Sequence, residues 1–222
     1  MFDKDQDIKA IREGIKSLCL KFPSEYWREK DRARTYPTEF VKALSDHGYL
    51  GCLIPEEYGG SGLSLRAAAV ILEEIHHSGG NGAACHAQMY IMGTLLRHGS
   101  VEQKKRYLPG IADGSLRLQA FGVTEPSSGT DTLSLKTTAR KDGDFYIING
   151  QKVWTSRAEH SDLMLLLART THRDKVEKRT EGLSVFIVDI RNANGNDLTI
   201  RPIRTMINHA TTEVFFDDLR VP

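Results

Sequence analysis

Two short segments of the chain combine residue types that suit a ligand site. Residues 123–131 contain hydroxyl side chains, small residues and a turn-forming proline. Small residues let the main chain come close to a ligand, so that its N–H groups can point at an anion such as a pyrophosphate. Residues 149–156 place Trp154 beside hydroxyl residues. Such a tryptophan suits a flat ring with polar edges, so the two segments together favour a ligand carrying both groups.

Each segment also has an ordinary structural explanation. Residues 124–126 alone are typical of a polar turn at a strand end. Trp154 alone is more often part of a core than the wall of a cofactor site. The ligand site is favoured only because these residues occur in one register with Gly129 and Thr130.

The composition argues against several other classes of protein. The 222 residues suffice for one large or two small domains, and 40% hydrophobic with 27% charged residues is ordinary globular usage. A net charge of +1, without a run of Lys or Arg, predicts no nucleic-acid partner. No apolar stretch is long enough to span a bilayer, so no membrane span is predicted.

Cysteine usage and the first residues bear on the compartment. Cys19, Cys52 and Cys85 are widely spaced and odd in number, which indicates reduced thiols rather than a disulfide framework. Residues 1–5 are charged, lack the apolar core of a secretory signal and include acids that disfavour a transit peptide. These features predict a soluble, cytoplasmic protein, or a mitochondrial-matrix protein in a eukaryote.

The first half of the chain has helical periodicity. Apolar residues recur at steps of three and four from Ile8 to Phe22, which predicts one amphipathic helix. Ser64 is a candidate N-cap, and Ser100 with Gln103 forms a capping-box pattern. The predicted helices lie near residues 4–21, 37–47, 64–77, 82–98 and 100–109.

The second half changes to short strands with turn signals. Asp142-Gly143 and Asn149-Gly150 are the dipeptides of tight hairpin turns. The predicted fold class is therefore α+β: an all-α helical domain at 1–115, followed by an antiparallel β-barrel or sandwich at 116–222. The predicted strands lie near residues 132–140, 144–148, 151–155, 163–168, 183–190, 198–202 and 213–216.

One cluster of potential metal ligands needs a separate assessment. His76, His77, Cys85 and His86 lie close in sequence, but their spacing fits no closed zinc pattern. The two adjacent histidines also point to different faces of the predicted helix. No metal site is predicted.

Five segments together resemble the acyl-CoA dehydrogenase family. The segments at 50–60, 103–109 and 211–222 are similar to the family's sequences after its second helix, before its barrel and at the close of its middle domain. The two segments described first are similar to its flavin site. The resemblance covers essentially the whole chain and implies the family's first two domains, helices and then a barrel.

The resemblance implies FAD as the cofactor. The backbone of Phe121 and Val123 and the hydroxyl of Thr124 would meet the pyrimidine side of the flavin. Gly129 and Thr130 would meet its pyrophosphate. Trp154, Thr155 and Ser156 would lie at the ring system, with the Ser156 hydroxyl near the flavin N5. The implied cofactor-binding residues are Phe121, Val123, Thr124, Gly129, Thr130, Trp154, Thr155 and Ser156.

The implied reaction is oxidation of an acyl-CoA substrate to the trans-2-enoyl-CoA. It removes the α proton to a base and transfers hydride from the β carbon to flavin, and an electron-transferring flavoprotein is the implied acceptor. Thr130 would also line the path of the thioester. Met89, Tyr90 and Met92 would form a wall for the acyl chain, although Met89 and Met92 also suit an ordinary core.

Two departures from the family's pattern stand out. The family's catalytic glutamate belongs to a third, helical domain, and no residue of this chain takes that role by resemblance. We therefore expect a partner bearing the C-terminal domain, or a homo-oligomer. Ile207 stands where the family usually has an arginine, and His209 lies nearby without an assigned role.

Two alternatives remain open at this point. The chain could be a non-catalytic fragment or subunit that binds flavin or acyl-CoA, because it lacks the base. It could also be a related flavin enzyme, an acyl-CoA oxidase or a nitroalkane oxidase.

Overall fold

The protein divides into two compact units, each described here by itself. A computed structural model describes residues 5–191, 195 and 197–222. The units are Met1–Arg117 and Leu118–Pro222. The first is helical and the second is built on a sheet, so the predicted fold class is confirmed.

Capping residues and buried stripes explain most of the helices. Ser64 accepts a hydrogen bond from the Ala67 N–H, and Ser100 with Gln103 forms the predicted capping box. These bonds satisfy amide groups that have no partner inside the helix. Residue 4, where the first helix was predicted to begin, lies outside the described residues. Over the described part of this unit the α-helices are α1 (Asp5–Cys19), α2 (Ser24–Ala33), α3 (Thr38–Asp46), α4 (Leu65–His77), α5 (Ala83–His98) and α6 (Val101–Ala112).

Two features of the helical unit differ from the sequence prediction. α2 was missed because none of its residues is buried, so it carries no apolar stripe that periodicity could detect. α6 continues through Pro109, where the prediction ended it. A proline there removes one backbone donor, but the buried Leu108 and Ile111 hold the last turn against the unit's core.

The three cysteines are free, as predicted, and all are buried in the helical unit. Burial in apolar surroundings raises the pKa of Cys52 to about 12 and raises the pKa of Cys19 as well. These thiols are therefore protonated core residues rather than reactive groups.

The described residues of the second unit form a seven-stranded mixed sheet. Its order is β1-β4-β2-β3-β7-β6, with β5 paired to β4. β1 runs parallel to β4, so the prediction of a purely antiparallel sheet was wrong in this detail. The long segment between β1 and β2 explains it, because it lets β1 leave its neighbour in sequence and pair further along the sheet. The strands are β1 (Leu118–Gly122), β2 (Thr138–Asp142), β3 (Phe145–Ser156), β4 (Leu163–Arg169), β5 (Leu183–Asp189), β6 (Leu198–Pro202) and β7 (Thr211–Val221).

One of the two predicted hairpin turns is wrong. Gly143 does turn the chain between β2 and β3, with φ +61°. Asn149 and Gly150, however, lie inside β3, at a register shift against β7. The Asn149 side-chain amide donates to the Asp218 carboxylate at 2.8 Å, and the Asp218 N–H donates back to the Asn149 side chain at 2.9 Å. The dipeptide therefore continues β3 opposite a β-bulge of β7, where Asp217 and Asp218 face Asn149, instead of forming a turn.

Gly150 is required at this bulge for steric reasons. Its φ is +148°, which side-chain-bearing residues rarely adopt. A Cβ placed there would also lie 2.7 Å from the Cα of Thr137. β3 can therefore run continuously from the hairpin to the residues of the candidate site.

Candidate functional site

Trp154, near the end of β3, has a backbone conformation that costs free energy. Its φ is +61°, although it is neither glycine nor asparagine, and its side chain is 58% exposed. Lys152 and Thr155, two positions before it and one after it, are buried, and the register with β7 shifts between them. A left-handed bulky residue costs about 1–3 kcal/mol and is typical of functional sites. β3 therefore presents an indole to solvent at a strained bulge.

A polar loop lies next to this indole. The Asn208 side chain donates to the Ser156 hydroxyl oxygen at 3.0 Å, and the Arg157 N–H donates to the carbonyl of Ala210. Arg157 and Asn208 both have positive φ. Because the Ser156 oxygen accepts the bond from Asn208, its own hydroxyl hydrogen can be donated to a ligand.

Ile207 lies in the same loop, where the resemblance expected an arginine, and it is 70% exposed. Its neighbour Met206 is also exposed, and His209 is half-buried. The loop therefore presents apolar side chains where a cation was expected.

The 123–137 segment is joined directly to β3. The Val153 N–H donates to the carbonyl of Thr124 at 2.8 Å. The Lys152 ammonium donates to the carbonyl of Val123 at 3.1 Å. These bonds join Val123 and Thr124 to the two residues that precede Trp154.

Glu125 and Lys152 form a buried ion pair that the sequence analysis did not find. Their side chains are 4% and 0% exposed, with 2.9 Å between the Lys152 Nζ and the Glu125 Oε1. The Glu125 carboxylate also accepts from the backbone N–H groups of Lys136, at 2.6 Å, and Thr137, at 2.8 Å. Both residues stand in the two segments analysed first, but no local pattern shows a pairing across 27 positions.

The protonation of this pair follows from its surroundings. Burial raises the pKa of Glu125, but hydrogen bonds from Thr137, Lys152 and Lys136 outweigh burial and hold it below its ordinary value. Burial lowers the pKa of Lys152, and the neighbouring carboxylate opposes that shift. Glu125 is therefore a carboxylate engaged on both oxygens.

The tip of the 123–137 segment is open. A Cβ added at Gly129 would meet nothing within 4 Å, and Thr130 is exposed. Hydrogen bonds hold the tip, since the Thr132 hydroxyl donates to the Gly129 carbonyl and the Ser128 hydroxyl to that of Asp131. The structure thus leaves room for a ligand at the backbone of Gly129 and Thr130.

Asp131 contributes the negative charge nearest to this tip. Arg179 donates to both of its carboxylate oxygens, at 3.0 and 3.1 Å, and the Ser134 hydroxyl donates to it as well. The Ser134 hydrogen bond lowers the pKa of Asp131, and the charge of Arg179 acts in the same direction. Pairing with Arg179 reduces the repulsion that an anion at Gly129 would meet.

The remaining predicted cofactor residues differ in accessibility. Phe121 lies on β1, paired with Leu165 of β4, and is half-buried. The Thr155 hydroxyl is covered by protein and has no hydrogen-bond partner among the described residues. The Thr155 carbonyl accepts from the Thr212 hydroxyl at 2.8 Å. Any cofactor contact by the Thr155 side chain would therefore need a rearrangement.

The three predicted acyl-chain residues lie on α5 in the helical unit. Met89 and Met92 are buried, and the Met89 sulfur lies 4.0 Å from the Cys85 sulfur. Tyr90 is 47% exposed, with its ring 5.0 Å from that of His86. Of these three residues, only Tyr90 offers substantial surface, and the acyl-chain role of all three stays a prediction.

Two general features complete the description of the site. Among residues 5–191, 195 and 197–222 no group of three or more His, Cys, Asp or Glu side chains is arranged to hold a metal ion. None of the helices in this part of the chain combines the length and apolarity that a bilayer crossing requires.

Comparison with protein-family models divides the chain in two. Residues 5–115 match the acyl-CoA dehydrogenase N-terminal domain, and residues 120–219 match the acyl-CoA dehydrogenase middle domain. The matched residues include the whole 123–137 segment and all of β3.

Individual proteins give the same picture. Acyl-CoA dehydrogenase FadE12 of Mycobacterium tuberculosis is 33% identical over the whole chain, and glutaryl-CoA dehydrogenase of Desulfococcus multivorans is 31% identical. The crystal structure of acyl-CoA dehydrogenase from Geobacillus kaustophilus superimposes on 97% of the chain, with a TM-score of 0.86 and 26% identity. The chain spans 56%, 57% and 56% of these three proteins, respectively.

Proposed function

This chain belongs to the acyl-CoA dehydrogenase family, and on that premise we propose that it forms the flavin-holding part of an FAD-dependent acyl-CoA dehydrogenase. The observation that carries the proposal is Trp154, an exposed indole held in a strained conformation beside the Ser156 hydroxyl. A soluble domain has no structural reason to keep a large aromatic side chain both strained and exposed. A flat ligand stacked on the indole supplies that reason.

The described residues fit FAD in three respects. Trp154 offers an apolar face for the ring system, and Ser156 a hydroxyl donor at its edge. The open backbone at Gly129 and Thr130 suits a pyrophosphate. Thr124, which is half-buried, accepts a hydrogen bond from the Val153 N–H through its backbone carbonyl, so its hydroxyl is held near Trp154.

When bound, FAD supplies the hydride acceptor for the oxidation of the acyl chain. The residues of this chain orient and enclose the flavin ring system. Trp154 covers an apolar face and excludes water from it, while Ser156 donates a hydrogen bond that orients the ring edge. We assign Thr130 the additional task of lining the thioester path, and Met89, Tyr90 and Met92 that of forming the acyl-chain wall.

Removal of the α proton needs a base, and no carboxylate among the described residues takes that role by resemblance to the family. Glu125, the carboxylate nearest to Trp154 in the hydrogen-bond network, is buried and engaged by Lys152 and two backbone amides. We propose that the base comes from a C-terminal helical domain outside the 222 residues, on the same protein or on another chain. Homo-oligomerisation and an electron-transferring flavoprotein as acceptor belong to the same proposal.

The substrate is proposed as an acyl-CoA of unspecified chain. Relatives in this family include a glutaryl-CoA dehydrogenase as well as proteins named only as acyl-CoA dehydrogenases, so the family itself leaves the acyl group open. Three free, buried thiols support a reducing compartment such as the cytoplasm, or the mitochondrial matrix in a eukaryote.

An anaerobic titration tests the proposal. The chain is reconstituted with FAD, and acyl-CoAs are added with and without the part of FadE12 that this chain does not span. We expect FAD to bind in both cases and its visible absorbance to bleach only in the supplemented sample. Failure of the folded chain to bind FAD under either condition would overturn the proposal. Peroxide formed during turnover in air would identify an oxidase, and tight FAD binding without turnover under either condition a non-catalytic module.

A pair of glycine variants tests where the pyrophosphate lies. Gly129→Ala adds a methyl group into open space at the segment tip, and Gly93→Ala does the same on α5. We expect Gly129→Ala to weaken FAD binding by about tenfold, a change of roughly 1.4 kcal/mol, because the methyl group keeps the ligand from the backbone. Gly93→Ala is the matched control and should leave FAD affinity unchanged. Equal affinities for both variants would remove Gly129 from the site.

A further inference from the structure

The buried Glu125–Lys152 pair has a position in the sheet unit that a simple stabilising contact does not explain. Glu125 stands at one end of the 125–137 loop. Its carboxylate accepts hydrogen bonds from the backbone N–H groups of Lys136 and Thr137, which stand at the other end. One side chain therefore closes the loop that carries Gly129 and Thr130. An ionised carboxylate is suited to this, because each of its oxygens can accept hydrogen bonds.

Lys152 ties the closed loop to β3. Its ammonium donates to the Glu125 carboxylate and to the carbonyl of Val123, while the next residue, Val153, donates its N–H to Thr124. These contacts join Glu125 and the two residues before it to the two strand residues that immediately precede Trp154. The loop tip and the indole thus belong to one hydrogen-bonded frame.

The loop has a second support on its far side. The Arg169 side chain is buried, with the residue 7% exposed, and its guanidinium donates to the carbonyls of Leu133 and Leu135. The Arg169 backbone N–H donates to the carbonyl of Thr137. This support comes from β4 and holds only the 133–137 end of the loop. Glu125 is the group that links this end to the beginning of the loop.

We infer that Glu125 and Lys152 are positioning residues that keep the 125–137 loop and Trp154 in the relative placement that bound FAD requires. They touch the reacting atoms at no point and act through the loop backbone and the strand. This inference rests on the proposed function, because it assigns the loop tip to the pyrophosphate and Trp154 to the ring system.

The test uses the double variant Glu125→Gln/Lys152→Met of the whole 222-residue chain. Removing both charges together avoids an unpaired buried charge, so the variant keeps a folded sheet unit. Glutamine has a single carbonyl oxygen, so one of the two loop-closing amides loses its acceptor. Methionine preserves most of the lysine stem but donates to neither Val123 nor Glu125.

The matched control is Arg12→Met/Glu74→Gln in the helical unit. Glu74 is a carboxylate with a side chain that is 5% exposed, and its Oε2 lies 2.8 Å from Arg12. The control removes an ion pair with a buried carboxylate and a 40% exposed Arg12 side chain by the corresponding substitutions, far from the 125–137 loop in sequence. Any general effect of losing such a pair should appear in both double variants.

Two measurements decide the inference. We expect the amides of Ser128, Ser134 and Leu135, which Glu125 does not bond through its side chain, to exchange hydrogen about tenfold faster in the loop variant only. We also expect FAD affinity to fall by about tenfold or more and the flavin absorption bands to lose resolved structure, again only in the loop variant. A folded loop variant with wild-type FAD affinity would overturn the inference, whatever the exchange rates of these amides.

These outcomes separate the inference from the proposed function. If the wild-type chain binds no FAD, the proposed function fails, and the positioning role toward FAD fails with it. If the wild type binds FAD and the loop variant binds it equally well, only the positioning role fails, and the pair is a stabilising contact.

Discussion

At the scale of single residues, the site depends on side chains whose surroundings work against their own preferences. Trp154 is exposed and left-handed, and Lys152 is a cation without solvent contact. Each arrangement costs free energy unless neighbouring groups compensate for it. For Lys152 the compensation comes from the Glu125 carboxylate and the Val123 carbonyl, whereas for Trp154 we assign it to the ligand.

Trp154→Gly should separate stability from ligand binding. Glycine adopts φ +61° without strain, so the relief of about 1–2 kcal/mol offsets the greater backbone entropy of glycine and the lost ring contacts. We expect the free energy of unfolding of the chain without FAD to change by less than about 1 kcal/mol. FAD affinity should fall by about tenfold or more. Denaturant unfolding and FAD titration measure the two quantities, and unchanged FAD affinity would contradict the assignment.

The acid sensitivity of the sheet unit should depend on Glu125. Its pKa in the folded chain lies below the ordinary 4.5, so it contributes stability above pH 4.5 that is lost as the pH falls through the lower, folded value. Glu125→Gln/Lys152→Met lacks this titration. We therefore expect the difference in melting temperature between wild type and double variant to shift against the wild type as the pH falls below about 4.5. A pH-independent difference would show that Glu125 does not titrate as its contacts indicate.

At the scale of secondary-structure elements, β3 is the part that matters most for function. It begins at the hairpin after β2, passes opposite the bulge of β7 at Gly150 and ends beside the site. The bulge and the second register shift near Trp154 both occur against β7. Bulges bend a strand and re-aim its side chains, which is how a regular strand comes to carry an outward indole.

Gly150→Ala tests whether this bulge is essential for the strand. The added methyl group would meet the Thr137 backbone at 2.7 Å in a conformation that alanine avoids. We expect a loss of about 3 kcal/mol or more of unfolding free energy, combining strain and overpacking. Gly93→Ala, in α5 with open space around it, should instead stabilise by up to about 1 kcal/mol. Thermal melts of both variants provide the check, and similar melting temperatures would contradict the steric argument.

At the scale of the whole molecule, each unit carries a core of its own. The largest apolar cluster of the sheet unit draws its buried members from Ala120 to Val221, and that of the helical unit from Ile15 to Met89. Each described cluster is therefore built from a single unit. Separate cores of this kind are what allow domains to fold independently.

A fragment of residues 118–222 should therefore fold alone. Its strands and its apolar cluster are complete within that range. We expect a cooperative unfolding transition and a β-type circular dichroism spectrum from the isolated fragment. The fragment should also retain the Glu125–Lys152 contact, visible as slow exchange of the Lys136 and Thr137 amides. A non-cooperative melt would show that the sheet unit depends on residues outside it.

The sequence by itself determined the class of the fold, most helix positions and the residues that resemble a flavin site. These features depend on local information: capping residues, apolar periodicity, turn dipeptides and short motifs. Local patterns failed where they were ambiguous or silent. Asn149-Gly150 has the residue types of a hairpin turn but lies inside β3 opposite a bulge of β7, and the polar α2 offers no buried stripe to detect.

Only the tertiary structure decided which distant groups meet. The pairing of Glu125 with Lys152, the parallel contact of β1 with β4 and the left-handed conformation of Trp154 all arise from contacts between segments far apart in sequence. A buried charge is tolerated only where a specific partner lies within hydrogen-bond distance, and a strained residue persists only where the surrounding structure holds it. Both conditions depend on three-dimensional packing, which residue types and spacing do not express.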